Sequence, residues 1–509
     1  MHSLGLCLLC ATAASTLLVK AAAQTELPNV TYAGYLPTNK NDGSELFYAY
    51  YEAQEVDNAA PVPVLLWLQG GPGCASMFGN LYELGPAWVN DSLQLVHNPG
   101  AWNHRFGLLF IDQPVGSGFS IAGSLGIPSD ETQIATDLYA GLQKFYARYK
   151  DLQNRPLFIT GESYAGKYVP ALGHYILQLG HMHRPEPAQP QLLETQEVPA
   201  QMLQLGPPLF KLAGLAIGNG LTDPKLQVLT HADTCYYMSI IDQHEQLHAM
   251  KLQLQVAGMI SAGEWKEASR QRELLLAYLQ QQSGVGTLLD TRRTRDYDAD
   301  SLVDKYLNLQ EVQEALNVKP NTTFVGCSDK VASALGPDVM KSVKPLIPDL
   351  LAALPVLLYQ GQFDAQDGPG SVEAWTTNLD WPGKSEFFRA KRHIWRWGQG
   401  SSKFLQNADA DWDSAIGGLL SSDPSDSQLA SNVQLQLPQR TAATTDNGGK
   451  VQPVVGFWKH HKSLTTVVLK DAGHMVPRDQ PMVTQNMVES WVQHCVEHWW
   501  NSSQTRSSI

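Results

Sequence analysis

The stretch PLFITGESYAG, residues 156–166, sets a serine between a predicted strand and a predicted helix. Residues 157–160 are apolar or β-branched and predict a buried strand, and a helical pattern begins at Ala165. Between them Ser163 occupies the sharp turn that lifts a serine hydroxyl clear of a sheet. The strict form of this turn has a second glycine where Ala165 stands, and a small side chain still meets the steric requirement. Because ordinary strand-to-helix turns share this pattern, it identifies a nucleophile only if a base and an acid are found elsewhere in the chain.

Short apolar runs recur along the chain, and each ends in a turn or a polar cluster, as buried parallel strands do. The runs are 64–68, 108–111, 157–160, 215–217, 356–359 and 465–469. Predicted helices at 134–149 and 165–179 lie between some of them. Strands that alternate with helices predict an α/β fold with a mainly parallel central sheet, here of the α/β-hydrolase type.

A base and a carboxylate follow two of the later strands. A serine nucleophile needs a base, the base needs an acid to orient it, and in these hydrolases the chain order is serine, acid, histidine. Asp364 follows the run 356–359, and His474 follows the run 465–469 with a glycine before it. Asp367 is a rival acid three residues later, and only geometry can decide between the two. The predicted catalytic set is therefore Ser163, Asp364 and His474.

An early glycine-rich loop could supply the N–H donors that stabilise an oxyanion. The sequence QGGPGC, residues 69–74, follows the first predicted buried strand and has little side-chain obstruction. Taken alone it is equally an ordinary glycine–proline turn. Together with the serine, acid and base it predicts an acyl-transfer site.

The regular alternation breaks between about 221 and 331, where residues 242–282 predict helices with no buried strand between them. The predicted organisation is a signal peptide at 1–23, a first core part at 24–220, a helical cap at 221–331 and a second core part at 332–509. Residues 183–208 and 398–453 have compositions typical of surface insertions, and 398–453 is predicted to be flexible.

Composition excludes several classes of function. The 509 residues are 43% hydrophobic and 17% charged, as in a folded globular protein. With 36 basic and 49 acidic residues the net charge is −13, which argues against nucleic acid as a partner. No CxxC pair remains after a signal peptide is removed, and the sequence implies neither a metal nor an organic cofactor.

The N-terminus predicts export. Residues 4–19 are apolar and small, and the small residues 21–23 offer a cleavage site; no later run is long and apolar enough to span a membrane. Export permits disulfides among Cys74, Cys235, Cys327 and Cys495, and the sequence alone leaves all three pairings open. Four glycosylation sequons fit the same route: they begin at Asn29, Asn90, Asn321 and Asn501.

Six motifs together resemble the serine carboxypeptidase family, in that family's order. They are QGGPGC (69–74), YELGP (82–86), DQPVGSGFS (112–120), GESYAG (161–166), IGNGLTDP (217–224) and GHMVPRDQP (473–481). The details look closest to the vitellogenic-like carboxypeptidases and a related plant branch. The resemblance spans most of the chain.

The resemblance implies roles that the residues alone did not assign. The N–H groups of Gly71 and Tyr164 would form the oxyanion hole. The C-terminal carboxylate of a substrate would be held by four further residues: Gln69, Gly70, Glu83 and Glu162. The two glutamates can do this only if they share a proton, because two ionised carboxylates would repel a third. Gln69 stands where the family more often has asparagine. Glutamine keeps the side-chain amide but places it one methylene group further from the backbone.

The resemblance also implies a Cys74–Cys327 disulfide and leaves Cys235 and Cys495 unassigned. The implied activity is hydrolysis of the C-terminal residue of peptides or proteins, at acidic pH, by a secreted or vacuolar or lysosomal enzyme. A homodimer stays open. The alternatives are an acyltransferase that uses the same triad and a non-enzymatic protective or scaffold protein. Plant acyltransferases of this kind tend to have aspartate before the nucleophile, where this chain has Glu162.

Overall fold

The computed structural model describes residues 30–38, 41–56, 61–182, 206–297, 299–397, 404–405 and 452–500. The predicted signal peptide, the sequons at Asn29 and Asn501 and nearly all of the predicted insertions at 183–208 and 398–453 lie outside these ranges. The predicted domain boundaries stay predictions.

The described residues form a ten-stranded sheet in the order β1-β2-β6-β3-β7-β8-β9-β12-β11-β10, and β4 and β5 form a separate hairpin. The strands are β1 Tyr32–Pro37, β2 Glu45–Tyr51, β3 Val64–Leu68, β4 Ala87–Val89, β5 Leu95–His97, β6 Gly107–Ile111, β7 Pro156–Glu162, β8 Lys211–Gly218, β9 Val356–Gly361, β10 His393–Arg396, β11 Val454–His461 and β12 Leu464–Leu469. The α/β-hydrolase fold predicted from the sequence is confirmed.

The six runs predicted as buried strands are the six central strands, from β6 to β12, and their neighbours pair in parallel. The antiparallel strands β1, β2, β10 and β11 flank them at the two edges and were not predicted. Parallel strands buried on both faces appear as continuous apolar runs, whereas several of the edge strands are only half-buried and mix polar with apolar residues.

The helices are α1 Ser76–Phe78, α2 Glu131–Arg148, α3 Ala165–Met182, α4 Pro224–Gln227, α5 His231–Tyr237, α6 Gln243–Ala262, α7 Trp265–Ser283, α8 Ala299–Leu307, α9 Gln310–Ala315, α10 Asp329–Leu335, α11 Ile347–Ala353, α12 Pro369–Thr376, α13 Lys384–Arg389, α14 Val476–Asp479 and α15 Pro481–Cys495. Adjacent strand residues pack on opposite sides, with Ile159 in one hydrophobic cluster and Phe158 in the other. Helices α2 and α3 cover the first side, and α15 covers the second.

The segment between β8 and β9 is helical, as predicted, and α6 and α7 form its longest part. Helix α6 begins with a capping box between Asp242 and Glu245 and ends at Gly263, whose φ of 76° allows the turn into α7. These helices have their own hydrophobic cluster, built around residues such as Val256 and Leu275. Hydrophobic burial therefore stabilises this segment separately from the two sheet faces.

Candidate active site

Ser163 lies at the end of β7 in a left-handed conformation, with a φ of 63°. This conformation costs about 1–3 kcal/mol for a residue other than glycine and is maintained only where the surroundings fix it. The Ser163 N–H donates to Gly218 O at 2.9 Å, and its carbonyl accepts from Gly166 and Leu221. A side chain at Gly161 would place its Cβ 2.5 Å from Leu68 O, so the turn also needs this glycine.

The structure brings His474 and Asp364 together, although 110 residues separate them. His474 Nδ1 lies 2.6 Å from Asp364 Oδ2, and both side chains are buried. Asp364 Oδ2 also accepts from Asn219 Nδ2 at 2.6 Å, and Oδ1 accepts from the N–H groups of Gln366 and Asp367. Asp364 is therefore fixed on both oxygens, and it presents one of them to the histidine.

Asp367, the rival acid, interacts with other groups. Its carboxylate accepts from Gln366 Nε2 at 3.0 Å and lies 3.6 Å from Arg272 Nη2. Of the two candidates, only Asp364 is hydrogen-bonded to His474. The choice that the sequence left open is therefore decided by tertiary contacts.

Burial lowers the pKa of His474, but the nearby Asp364 carboxylate outweighs it, so the pKa is raised above its usual value of 6.5. The histidine is thus a stronger base than a free imidazole. At acidic pH only a fraction of it is in the neutral form that can accept a proton.

A turn that follows α7, at residues 288–289, holds the acid loop and the base loop together. The Leu289 carbonyl accepts from His474 N at 2.7 Å, and the Leu288 carbonyl accepts from Ala365 N at 2.9 Å. Neither leucine was predicted as a site residue, and no sequence signal marks them. Asn219 was also missed as a partner of Asp364, although it lies in the quoted IGNGLTDP motif.

Gln69, Glu83 and Glu162 meet behind the nucleophile. Gln69 Nε2 donates to Glu83 Oε1 at 3.2 Å and to Glu162 Oε1 at 3.0 Å, and Gln69 Oε1 accepts from Trp67 Nε1 at 2.8 Å. Glu83 lies on a π-helical turn, Gly79–Leu84, which projects it toward the end of β7. All three polar side chains are buried.

The two glutamates are held in a form that binds a proton. Burial raises the pKa of both carboxyl groups, and the charge of Glu83 raises that of Glu162 further. Because the two groups also interact directly, ionising one of them makes the other hold its proton more tightly. The buried pair can therefore donate a hydrogen bond, as the resemblance requires.

The two predicted oxyanion donors belong to loops that touch. Gly71 has a φ of 108° and is followed by a cis peptide bond to Pro72. A Cβ on Gly70 would lie 2.5 Å from Tyr164 N and 2.8 Å from Ser163 Cβ, so only glycine permits this approach. Among the described residues, no backbone carbonyl accepts from the N–H of Gly71 or Tyr164.

The implied disulfide is confirmed: Cys74 is bonded to Cys327. Cys235 and Cys495 are buried free thiols, and burial raises the pKa of each. Of the two described sequons, Asn321 is exposed and Asn90 is half-buried, with Oδ1 accepting from the N–H groups of Ser92 and Gln94.

Within the described ranges, no three side chains of His, Cys, Asp or Glu are grouped so that they could hold a metal ion. In the same residues, no helix has the length and apolar character needed to cross a membrane.

The fold and the site define a serine hydrolase of the α/β-hydrolase class. A family model described as serine carboxypeptidase matches residues 22–494. The serine carboxypeptidase-like 50 protein of Arabidopsis thaliana is 38% identical over 489 residues, which cover 94% of this chain and 92% of that protein. The chain belongs to the serine carboxypeptidase family and is a serine-type carboxypeptidase.

Two further similarities agree with this assignment. The probable serine carboxypeptidase CPVL of Dictyostelium discoideum is 31% identical over 91% of this chain and 78% of its own length. The solved structure of a prohormone-processing carboxypeptidase from Saccharomyces cerevisiae superposes with a TM-score of 0.68 at 22% identity, covering 92% of this chain and 94% of that one, and it shows the shared fold. The acyltransferase and scaffold alternatives are not favoured.

Proposed function

We propose that the chain removes the C-terminal residue of peptides through an acyl-enzyme on Ser163, with His474 as general base and Asp364 as the acid that orients it. The observation that carries the proposal is the 2.6 Å contact between His474 Nδ1 and Asp364 Oδ2. With Nδ1 bonded to the carboxylate, Nε2 is the nitrogen that takes the serine proton.

The reaction has two halves. Ser163 Oγ attacks the carbonyl carbon of the last peptide bond while His474 Nε2 accepts its proton, and the N–H groups of Gly71 and Tyr164 stabilise the oxyanion. His474 then gives this proton to the leaving amine, which departs as the free C-terminal amino acid. Water, deprotonated by His474, next attacks the acyl ester and regenerates Ser163.

The substrate carboxylate is recognised by the Gly70 N–H and by the proton that Glu83 and Glu162 share. Because Gln69 Nε2 already donates to both glutamates, we assign Gln69 to orienting the pair. A glutamate that keeps its proton can donate a hydrogen bond to the substrate carboxylate, whereas two ionised glutamates would repel it.

We propose that peptide hydrolysis favours acidic pH. The pair loses its proton as pH rises through its raised pKa, and affinity for a free C-terminus then falls. His474 sets the opposite limit, since its raised pKa leaves less neutral base as pH falls. The acyl step must therefore proceed with His474 partly protonated, and the two limits together give a bell-shaped profile.

We propose that the protein acts in the secretory route or in a vacuole or lysosome, with glycans on Asn90 and Asn321. The Cys74–Cys327 disulfide supports an oxidising compartment.

The test is covalent labelling with a fluorophosphonate, followed by peptide mapping and by hydrolysis of an N-blocked dipeptide. The label is expected on Ser163, and Ser163→Ala should lower kcat by roughly 10⁴-fold or more, since triad members act as a unit. Ser117 provides a matched control, because it is also a buried serine and Ser117→Ala leaves the serine turn intact. A label on any other serine, or full turnover by Ser163→Ala, would reject the assignment.

A further inference from the structure

A buried ion pair lies directly behind the residue that follows the nucleophile. Lys167, whose side chain has no exposed surface, donates its Nζ to the carboxylate and to the main-chain oxygen of Asp338. The same Nζ donates to the Tyr164 hydroxyl at 3.3 Å, and this hydroxyl donates to Asp338 Oδ2 at 3.0 Å. The three side chains therefore close a ring of hydrogen bonds that fixes the Tyr164 ring.

Two further titratable side chains lie next to this ring. Lys341 Nζ lies 3.3 Å from Asp338 Oδ1, and its side chain is 43% exposed. Glu131 is buried, and its carboxyl group lies close to Lys167, Asp338 and the Tyr164 hydroxyl. Burial raises the pKa of Glu131 to about 8, so it is neutral in acid and Asp338 is the counter-ion of Lys167.

Stability alone gives a weak reason for this arrangement. The cost of removing two charges from water largely offsets their attraction, and apolar residues of similar volume often stabilise a core equally well. What the ring does provide is a fixed position for Tyr164. Because the side chain and the N–H belong to one residue, fixing the ring limits the movement of the N–H beside Ser163.

The segment that contains Asp338 also reaches the other oxyanion donor. It begins at Cys327, which is bonded to Cys74 in the loop of Gly71. Ser328 N donates to Gly73 O at 3.0 Å, and a Cβ on Gly73 would lie 2.8 Å from Val331 Cβ. Residues 327–341 therefore contact the glycine-rich loop at one end and Tyr164 at the other.

We propose that Lys167 and Asp338 are positioning residues for the oxyanion hole, and that residues 327–341 hold its two donors at a fixed separation. Neither side chain contacts the reacting atoms; both act through Tyr164. The inference rests on the proposed function, in which the Tyr164 N–H is an oxyanion donor.

The test compares Lys167→Met, Tyr164→Phe, their double variant and the control Lys144→Met, a change at an exposed position of α2. Each enzyme is titrated for active sites and assayed on an N-blocked dipeptide well below its melting temperature. We expect Lys167→Met and Tyr164→Phe each to lower kcat about 10- to 100-fold with KM changed less than about 3-fold, a partial loss of one oxyanion donor. The kcat of the double variant should be no lower than that of the less active single variant, because both changes break the same ring.

A second readout separates positioning from folding. A peptide boronic acid forms a tetrahedral adduct on the serine that uses the oxyanion hole, whereas a product peptide does not. Boronate affinity should fall by the same factor as kcat in the Lys167 and Tyr164 variants, while their product affinity stays unchanged. The Lys144→Met enzyme should match the unmodified enzyme in all three measurements.

The inference is overturned if titrated Lys167→Met keeps kcat and boronate affinity within twofold of the unmodified enzyme, even if its melting temperature falls. A lower fraction of titratable active sites, with kcat per active site unchanged, would likewise show that Lys167 contributes to folding alone. If the unmodified chain neither hydrolyses the dipeptide nor reacts at Ser163, the proposed function fails and this inference fails with it.

Discussion

Replacing both buried glutamates by glutamine, Glu83→Gln with Glu162→Gln, should remove the pH dependence of binding to a free C-terminus. In the unmodified enzyme one shared proton is needed for that binding. Burial raises the pKa of both glutamates, and the charge of Glu83 raises that of Glu162 further, so the pair loses its last proton only above the usual range of a carboxyl group. Loss of this proton weakens binding. The inhibition constant of a non-hydrolysed peptide acid should therefore rise by up to tenfold for each pH unit above the raised pKa of the pair.

The assay measures this constant from pH 5 to pH 9 for the peptide acid and for the same peptide with an amidated C-terminus. The amide has no carboxylate to accommodate, so its curve should stay flat within about threefold. In the double variant the acid curve should become flat too, because glutamine donates at every pH. Glu314→Gln, a change at an exposed helical position, should leave both curves as in the unmodified enzyme.

Two results would refute this reasoning. Parallel curves for acid and amide would mean that a group other than the carboxylate site sets the pH dependence. An acid curve that keeps its slope in the double variant would show that the titrating group is neither Glu83 nor Glu162.

Three further predictions concern the site and the core. Asp364→Asn should lower kcat by about 10⁴-fold, as loss of the orienting acid does in other triads, whereas Asp367→Asn should lower it less than about tenfold. Steady-state kinetics on a dipeptide measure both effects, and the opposite order would make Asp367 the orienting acid. Peptide mapping without reduction should recover Cys74 linked to Cys327, and finding both as thiols would contradict the pairing. The protein should unfold more easily as pH rises from about 5 to 8. In the folded state the pKa of Glu131 is raised to about 8, so the folded protein holds this proton more tightly than the unfolded chain does. The stability that this gives at low pH is lost as pH rises from the unfolded-state pKa to the folded-state pKa. In urea titrations Glu131→Gln should reduce this loss by ~2–5 kcal/mol, and an unchanged slope would contradict it.

Several parts of the site were predictable because they depend on order along the chain. Each of the six central strands contains a continuous run of apolar or β-branched residues, so each appears in the sequence without knowledge of its neighbours. Functional groups of such sheets lie just after the strands. This rule, with the order serine, acid, histidine, predicted that Ser163, Asp364 and His474 share one edge.

The sequence by itself therefore determined the fold class, the helical insertion and the loops that carry the candidate catalytic groups, because periodicity and strand ends are local properties. Tertiary structure alone decided which groups touch. It set Asp364 rather than Asp367 against His474, added Asn219 to that contact and joined Lys167 to Asp338 across 171 residues. Such contacts depend on how separate loops pack at one sheet edge, and a side chain's local sequence carries no information about a partner more than a hundred residues away.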